Sequence, residues 1–137
     1  MIYSPTAQYA LRAALHLARR YGEGPTLGRS IAEAEEIPPS FLPKILHSLR
    51  ACGLVKTRKG RGGGYQLAIS PDRIRIRQVV ECIDGTIDFE TICVLGLPEC
   101  SGVDSCALHD HWKRIRRDFE KNIDRQTLAE VANGFRD

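Results

Sequence analysis

The chain has 137 residues, 42% of them apolar, and a net charge of +3. That is enough for one cored domain with an appended element, and no apolar run approaches the roughly 18 residues of a membrane-spanning helix. Six basic residues (Lys44, Arg50, Lys56, Arg58, Lys59, Arg61) and no acidic one lie between Ile37 and Pro71, so the positive excess sits in one quarter of a chain that is otherwise net acidic, as a segment facing a polyanion would be.

The N-terminus does not read as a signal peptide. Gln8, Arg12 and His16 interrupt its apolar residues, and a basic pair ends it. The expectation is a cytoplasmic protein with reduced cysteines. A disulfide framework is therefore not expected, and Cys52 and Cys82, each alone in an apolar pattern, read as buried structural thiols.

A first helix is predicted from Ser4-Pro5, with Tyr9, Ala10, Ala13, Ala14, Leu17 and Ala18 at helical spacing and Gly22 and Gly24-Pro25 ending it. His16 is expected to be satisfied within that helix's packing. Thr26 can cap a short second helix reaching about Glu35. A third helix is expected from near Ser40 to Ala51, with Pro43 in its first turn, Leu42, Ile45, Leu46 and Leu49 as its apolar stripe, and Gly53 just past its end.

Two short helices with a tight link, the second basic, read as a helix-turn-helix. Leu54 to Arg58 and Tyr65 to Ile69 can form two strands joined through "KGRGGG". Such a ribbon is an ordinary hairpin or, following two such helices, the wing of a winged helix. After Ser70-Pro71, a short helix is expected over Ile76–Asp84, a cysteine loop over about Gly85–Ser105, a longer helix over about Cys106–Ile123 and a last short helix over Arg125–Ala132. Leu108, Trp112, Ile115, Phe119 and Ile123 form an apolar seam on the longer helix, which can pack on its own domain or pair with a second copy; a dimer contact is favoured. The expected fold class is mainly α with a small β-wing, divided as a winged helix-turn-helix (1–84), a cysteine loop (85–105) and a dimerisation helix with a short C-terminal helix (106–137).

The segments "YALRAALHLA", "IPPSFLPKILHSLRACGLVKTRKGRGGGYQL" and "C…C…CALHDHW" together resemble the bacterial winged-helix transcription regulators of the IscR/NsrR (Rrf-type) family, over about residues 2–130. The resemblance implies a homodimer built around the long C-terminal helix, with DNA contacts at Ser40, Phe41 and Lys44 on the third helix and Arg58, Arg61, Gly62 and Gly63 on the wing. It also implies an iron–sulfur cluster held by Cys93, Cys100 and Cys106, with His109 as fourth ligand; some members of the family carry none. Gln8 stands where NsrR-like members have an acidic ligand, which speaks against a first-helix carboxylate. Six residues separate Cys93 from Cys100, one more than in the best-known members. Pro43 replaces a residue that selects DNA sites in IscR.

Chemistry gives these residues separable tasks. A helix N-terminus reaches base edges in the major groove, so Ser40 and Lys44 are candidate readers, Phe41 can touch a thymine methyl or join the core, and His47 is a weaker candidate on the face of Lys44. Lys56, Arg58, Lys59 and Arg61 suit phosphates, which add salt-sensitive affinity without reading sequence. A dimer would want a near-palindromic duplex with half-sites about 34 Å apart. Three cysteines and a histidine suffice for a 2Fe–2S cluster, with 4Fe–4S also open; Cys106 and His109 would sit one turn apart at a helix start. Zinc is a rival metal, but no closely spaced cysteine pair occurs. Without metal, the thiols are direct redox sensors or inherited remnants. His111 reads as an exposed side chain beside Trp112.

No C-x-x-C pair, acid/base pair or nucleophile constellation stands out, and "GRGGG" lacks the lysine and following helix of a P-loop, so an enzyme is not expected. The reading is a DNA-binding transcription regulator, a repressor, whose affinity a cluster sets as a sensor of redox state, nitric oxide or iron–sulfur status. The alternative is a cluster-free regulator answering through cysteine thiols or a protein partner.

Overall fold

Ser4 opens the first helix as its sequence position indicates: its Oγ accepts from the Ala7 N–H at 3.0 Å, and its own N–H donates to Asp84 at 2.8 Å. The computed structural model describes residues 2–98, 100 and 106–134. In chain order these form α1 (Pro5–Arg19), α2 (Gly28–Glu35), α3 (Leu42–Ala51), β1 (Val55–Arg58), β2 (Gly64–Leu67), α4 (Ile76–Asp84), α5 (His109–Arg125) and α6 (Leu128–Gly134), with a 3-10 turn at Pro71–Arg73. The architecture is thus mainly α with one two-stranded antiparallel ribbon.

α1 is the hub. Its buried face consists largely of alanines (Ala7, Ala10, Ala13, Ala14, Ala18), small enough for α2, α3, α4 and α6 all to pack against it. Ile31 of α2, Ile45, Leu46 and Leu49 of α3, Val55 and Leu67 of the ribbon, Val79 of α4, Ile123 of α5 and Leu128 of α6 share one core. Burial of side chains of this size stabilises by about 1.5–3 kcal/mol each. His16 is buried as expected, but its partner comes from another helix: Nδ1 lies 3.4 Å from Glu35 of α2, while Nε2 is without a partner among the described residues.

Four local expectations are corrected. Thr26 does not cap α2. Leu27 precedes that helix without a side-chain cap, and Thr26 instead bridges Tyr65 through two backbone hydrogen bonds of 2.8 Å. Backbone pairing with β2 outcompetes capping because it satisfies two groups rather than one. Second, Cys52 and Cys82 are not lone buried thiols: they are joined by a disulfide across 30 positions, and Cys52 is exposed. The packing of α3 on α4 brings them together, which neither apolar pattern encodes.

Third, α5 begins at His109 rather than at Cys106, so Cys106 precedes the helix and its carbonyl accepts from the His109 N–H at 3.0 Å. Last, the seam of α5 divides. Ile123 belongs to the chain's own core and Phe119 packs against it, whereas Leu108 and Ile115 are about half exposed.

Arg77 knots α4 to α5. Its guanidinium meets Glu81 at 3.2 Å, Glu120 at 3.2 Å and Asp124 at 2.8 Å, and donates to the Ile87 carbonyl at 2.9 Å. The Asp124 hydrogen bond, foremost, raises its pKa further above the ordinary arginine value.

Candidate nucleic-acid interface and cysteine centre

α3 buries Leu42, Ile45, Leu46 and Leu49 and turns the opposite side outward. Ser40, Phe41, Lys44 and His47 are all exposed there. Pro43 occupies the first turn, where no intrahelical donor is needed. Phe41 is about half exposed and stacks on Tyr9 of α1 with ring centroids 6.1 Å apart, so it is a surface ring braced from behind rather than core. Arg12 lies over the other partner of that stack, 5.0 Å from the Tyr9 centroid, and donates to the Glu35 and Glu36 carbonyls at the end of α2. Glu36 there has a left-handed backbone, φ 52°. Tyr9 and Arg12 thus fix the angle between the two helices of the helix-turn-helix. The sequence reading missed that role; helical spacing put Tyr9 on the packed face, but nothing marked Arg12.

The ribbon pairs Val55 with Leu67, Lys56 with Gln66, Thr57 with Tyr65 and Arg58 with Gly64. Val55 and Leu67 anchor its base, while Lys56, Arg58, Lys59 and Arg61 are exposed. Among the described residues none of these four joins an ion pair. Gly62 has φ 73° and lies in open space; Gly63 is buried, and a Cβ there would strike the Arg58 carbonyl. Gly62 thus makes the turn possible and Gly63 lets it close tightly, with the cations left projecting.

At the other end of α5, Cys93, Cys100 and His109 come together. Cys100 Sγ lies 3.3 Å from Nδ1 of the buried His109, and the Cys100 thiol also hydrogen-bonds Cys93. The backbone N–H groups of Leu97 and then Leu95, the latter at 3.4 Å, pull the Cys93 thiol below the ordinary cysteine range. The Ile92 carbonyl just before it accepts from Trp112 Nε1 at 2.7 Å and from Arg116 at 2.8 Å. Arg116 is 2% exposed, a buried cation that the sequence reading passed over. Its i, i+4 spacing from Trp112 was the available signal. A cavity of about 340 Å³ adjoins, lined by Tyr3, Gln8, Cys93, Val94, Trp112 and Phe119 among others, so position 8 does face this centre.

Thiolates and an imidazole are donors that suit an iron–sulfur cluster, and of the four expected ligands Cys100 and His109 are in contact. Cys106 is exposed, and residues 101–105 lie outside the described residues. Among the described residues no group of three or more His, Cys, Asp or Glu side chains is arranged to hold a metal ion. His111 is exposed.

Residues 3–134 match the Rrf2 family, described as an iron-dependent transcriptional regulator. The chain belongs to that family. Among relatives of this Rrf2 protein, one from Mycobacterium tuberculosis H37Rv, named for HTH-type transcriptional regulation, is 38% identical over 98% of this chain and 83% of its own. The regulator IscR of Aliivibrio salmonicida is 33% identical over 90% of this chain and 73% of its own. The structure of CymR, the global cysteine regulator of B. subtilis, superimposes with a TM-score of 0.80 at 29% identity over 99% of both chains. IscR of T. potens superimposes at 0.75 with 26% identity, over 99% of this chain and 89% of that one. Rrf2 proteins are DNA-binding helix-turn-helix regulators of transcription, not enzymes, and the winged-helix architecture expected from sequence is the one observed.

Proposed function

We propose that this Rrf2 protein is a cytoplasmic, homodimeric repressor whose grip on a near-palindromic operator is set by the state of its cysteine centre. In this reading Ser40 and Lys44 address base edges from the start of α3. Phe41 and His47 flank them, and Lys56, Arg58, Lys59 and Arg61, with the backbone of Gly62 and Gly63, hold phosphates. The exposed part of the α5 seam, Leu108 and Ile115 with half-buried Trp112, supports pairing with a second copy. Phe119 and Ile123 extend that seam toward the core.

The observation that carries the regulatory half is the contact of Cys93, Cys100 and His109 at the start of α5. Cys93, Cys100, Cys106 and His109 are the residues that would hold a 2Fe–2S or 4Fe–4S cluster, which supplies one-electron chemistry and a signal-labile tie across the loop. The chain itself supplies the transmission. Trp112 and Arg116 hold the Ile92 carbonyl, so a displacement of Cys93 reaches α5 directly. Arg77 carries it on to α4. Two ligand states of one dimer then differ in how its recognition helices are spaced.

The test is anaerobic purification with an absorption spectrum, iron and sulfide counts, and duplex binding before and after cluster removal at matched salt. Equal binding by the two forms sinks cluster control. A second reading is favoured by the exposure of Cys106 and the dispersed donor set: a cluster-free regulator answering through its thiols or a protein partner. Colourless protein free of iron and sulfide would select it.

A further inference from the structure

The two cysteines outside the loop form a site of their own. Cys52 follows the last residue of α3, one position before the turn into the wing. Its disulfide partner Cys82 lies on α4, two residues before Asp84, which holds the start of α1, and five after Arg77, which is ion-paired to α5. The segment closed by this bridge contains the whole wing. Apart from the bridge, the base of the wing is held by the packing of Leu54, Val55 and Leu67 and by the two backbone hydrogen bonds between Thr26 and Tyr65. Cys52 is exposed, so reagents in solution reach the pair.

We propose that Cys52 and Cys82 are a redox modification site, a reversible clasp that raises duplex affinity when oxidised and works independently of the Cys93–Cys100–His109 centre. The inference rests on the nucleic-acid interface placed at α3 and the wing, not on the presence of a cluster. The oxidant class is a peroxide. The Cys52 thiolate attacks the O–O bond, an S–O bond forms, and the alcohol or water leaves with one proton. The Cys82 thiol then attacks the sulfenic sulfur, the S–S bond forms, and the hydroxyl departs as water with the Cys82 proton. Two thiols and one peroxide give one disulfide, one alcohol or water, and one further water; two electrons pass from sulfur to oxygen. A small dithiol reverses the step by exchange. Oxidation acts on affinity by removing freedom from the wing and the end of α3 before the duplex arrives.

The experiment compares the full chain with Cys52→Ser and Cys82→Ser, each treated with hydrogen peroxide or with a dithiol. All three proteins share the loop thiols, so the clasp is read as the difference between them. The probe is a duplex recovered by this protein from a randomised pool. Thiol blocking, digestion and mass measurement should find a Cys52–Cys82 linked peptide in the oxidised full chain and in neither variant. Oxidation should tighten duplex binding by the full chain about threefold or more relative to the same treatment of the variants. Absence of the linked peptide overturns the proposal, as does an equal response of all three proteins to peroxide. Equal, tight binding throughout would leave the interface standing and remove only the clasp. Binding by none of the proteins in either state overturns both.

Discussion

Replacing Arg58 by Ala tests the wing most directly. The side chain projects from the end of β1 opposite Gly64, is exposed, and joins no ion pair among the described residues. Nothing in the fold depends on it, so stability should change by no more than about 0.5 kcal/mol. If it neutralises one phosphate, its loss reduces the slope of log affinity against log salt by about 0.9, and a dimer with two wings loses about 1.8. The deficit of the variant should then shrink about tenfold as salt rises from roughly 0.05 to 0.2 M. Fluorescence anisotropy on one duplex across that range measures both slopes, and a melting curve checks the fold. Sequence preference should be unchanged, because phosphates carry no base identity. An unchanged slope with intact folding, or a loss confined to one sequence, would falsify the assignment of Arg58 to the backbone.

Other changes should report on different parts of the molecule. Lys44→Ala should weaken binding to the selected duplex by about 1–3 kcal/mol and flatten discrimination against single-base variants, measured by competition. Gly63→Ala forces a methyl group against the Arg58 carbonyl. A thermal melt should show a loss of about 1–3 kcal/mol together with weakened duplex binding. Ser4→Ala removes the cap of α1 and should cost about 1 kcal/mol, visible as a melting shift of several degrees. In metal-free protein Cys93 should alkylate with a midpoint below the ordinary thiol value of about 8.5, since a lowered pKa leaves thiolate present at lower pH. A midpoint at or above that value would show that the Leu97 and Leu95 amides do not hold the sulfur.

The local code was legible wherever one stretch of chain settles its own conformation. Ser4-Pro5, the apolar stripe of α3 and the glycines between the strands each act within a few residues, and those elements lie where the sequence indicates. Ser40, Lys44 and the wing cations, singled out by charge, groove chemistry and the family resemblance, are exposed. Boundaries shifted in two places: Thr26 was taken from a capping role by Tyr65, and α5 starts at His109 rather than at about Cys106.

Contacts between remote segments belong to the packing alone. The Cys52–Cys82 bridge, the Arg77 knot, the grip of Trp112 and Arg116 on the Ile92 carbonyl and the meeting of Cys100 with His109 all join residues from different elements or from a loop to a helix. Periodicity reports which face of an element is apolar; it carries no term for which element that face will meet. An exposed thiol or a buried arginine therefore looks ordinary along the chain, and its partner is chosen only when helices of fixed shape dock around the alanine face of α1.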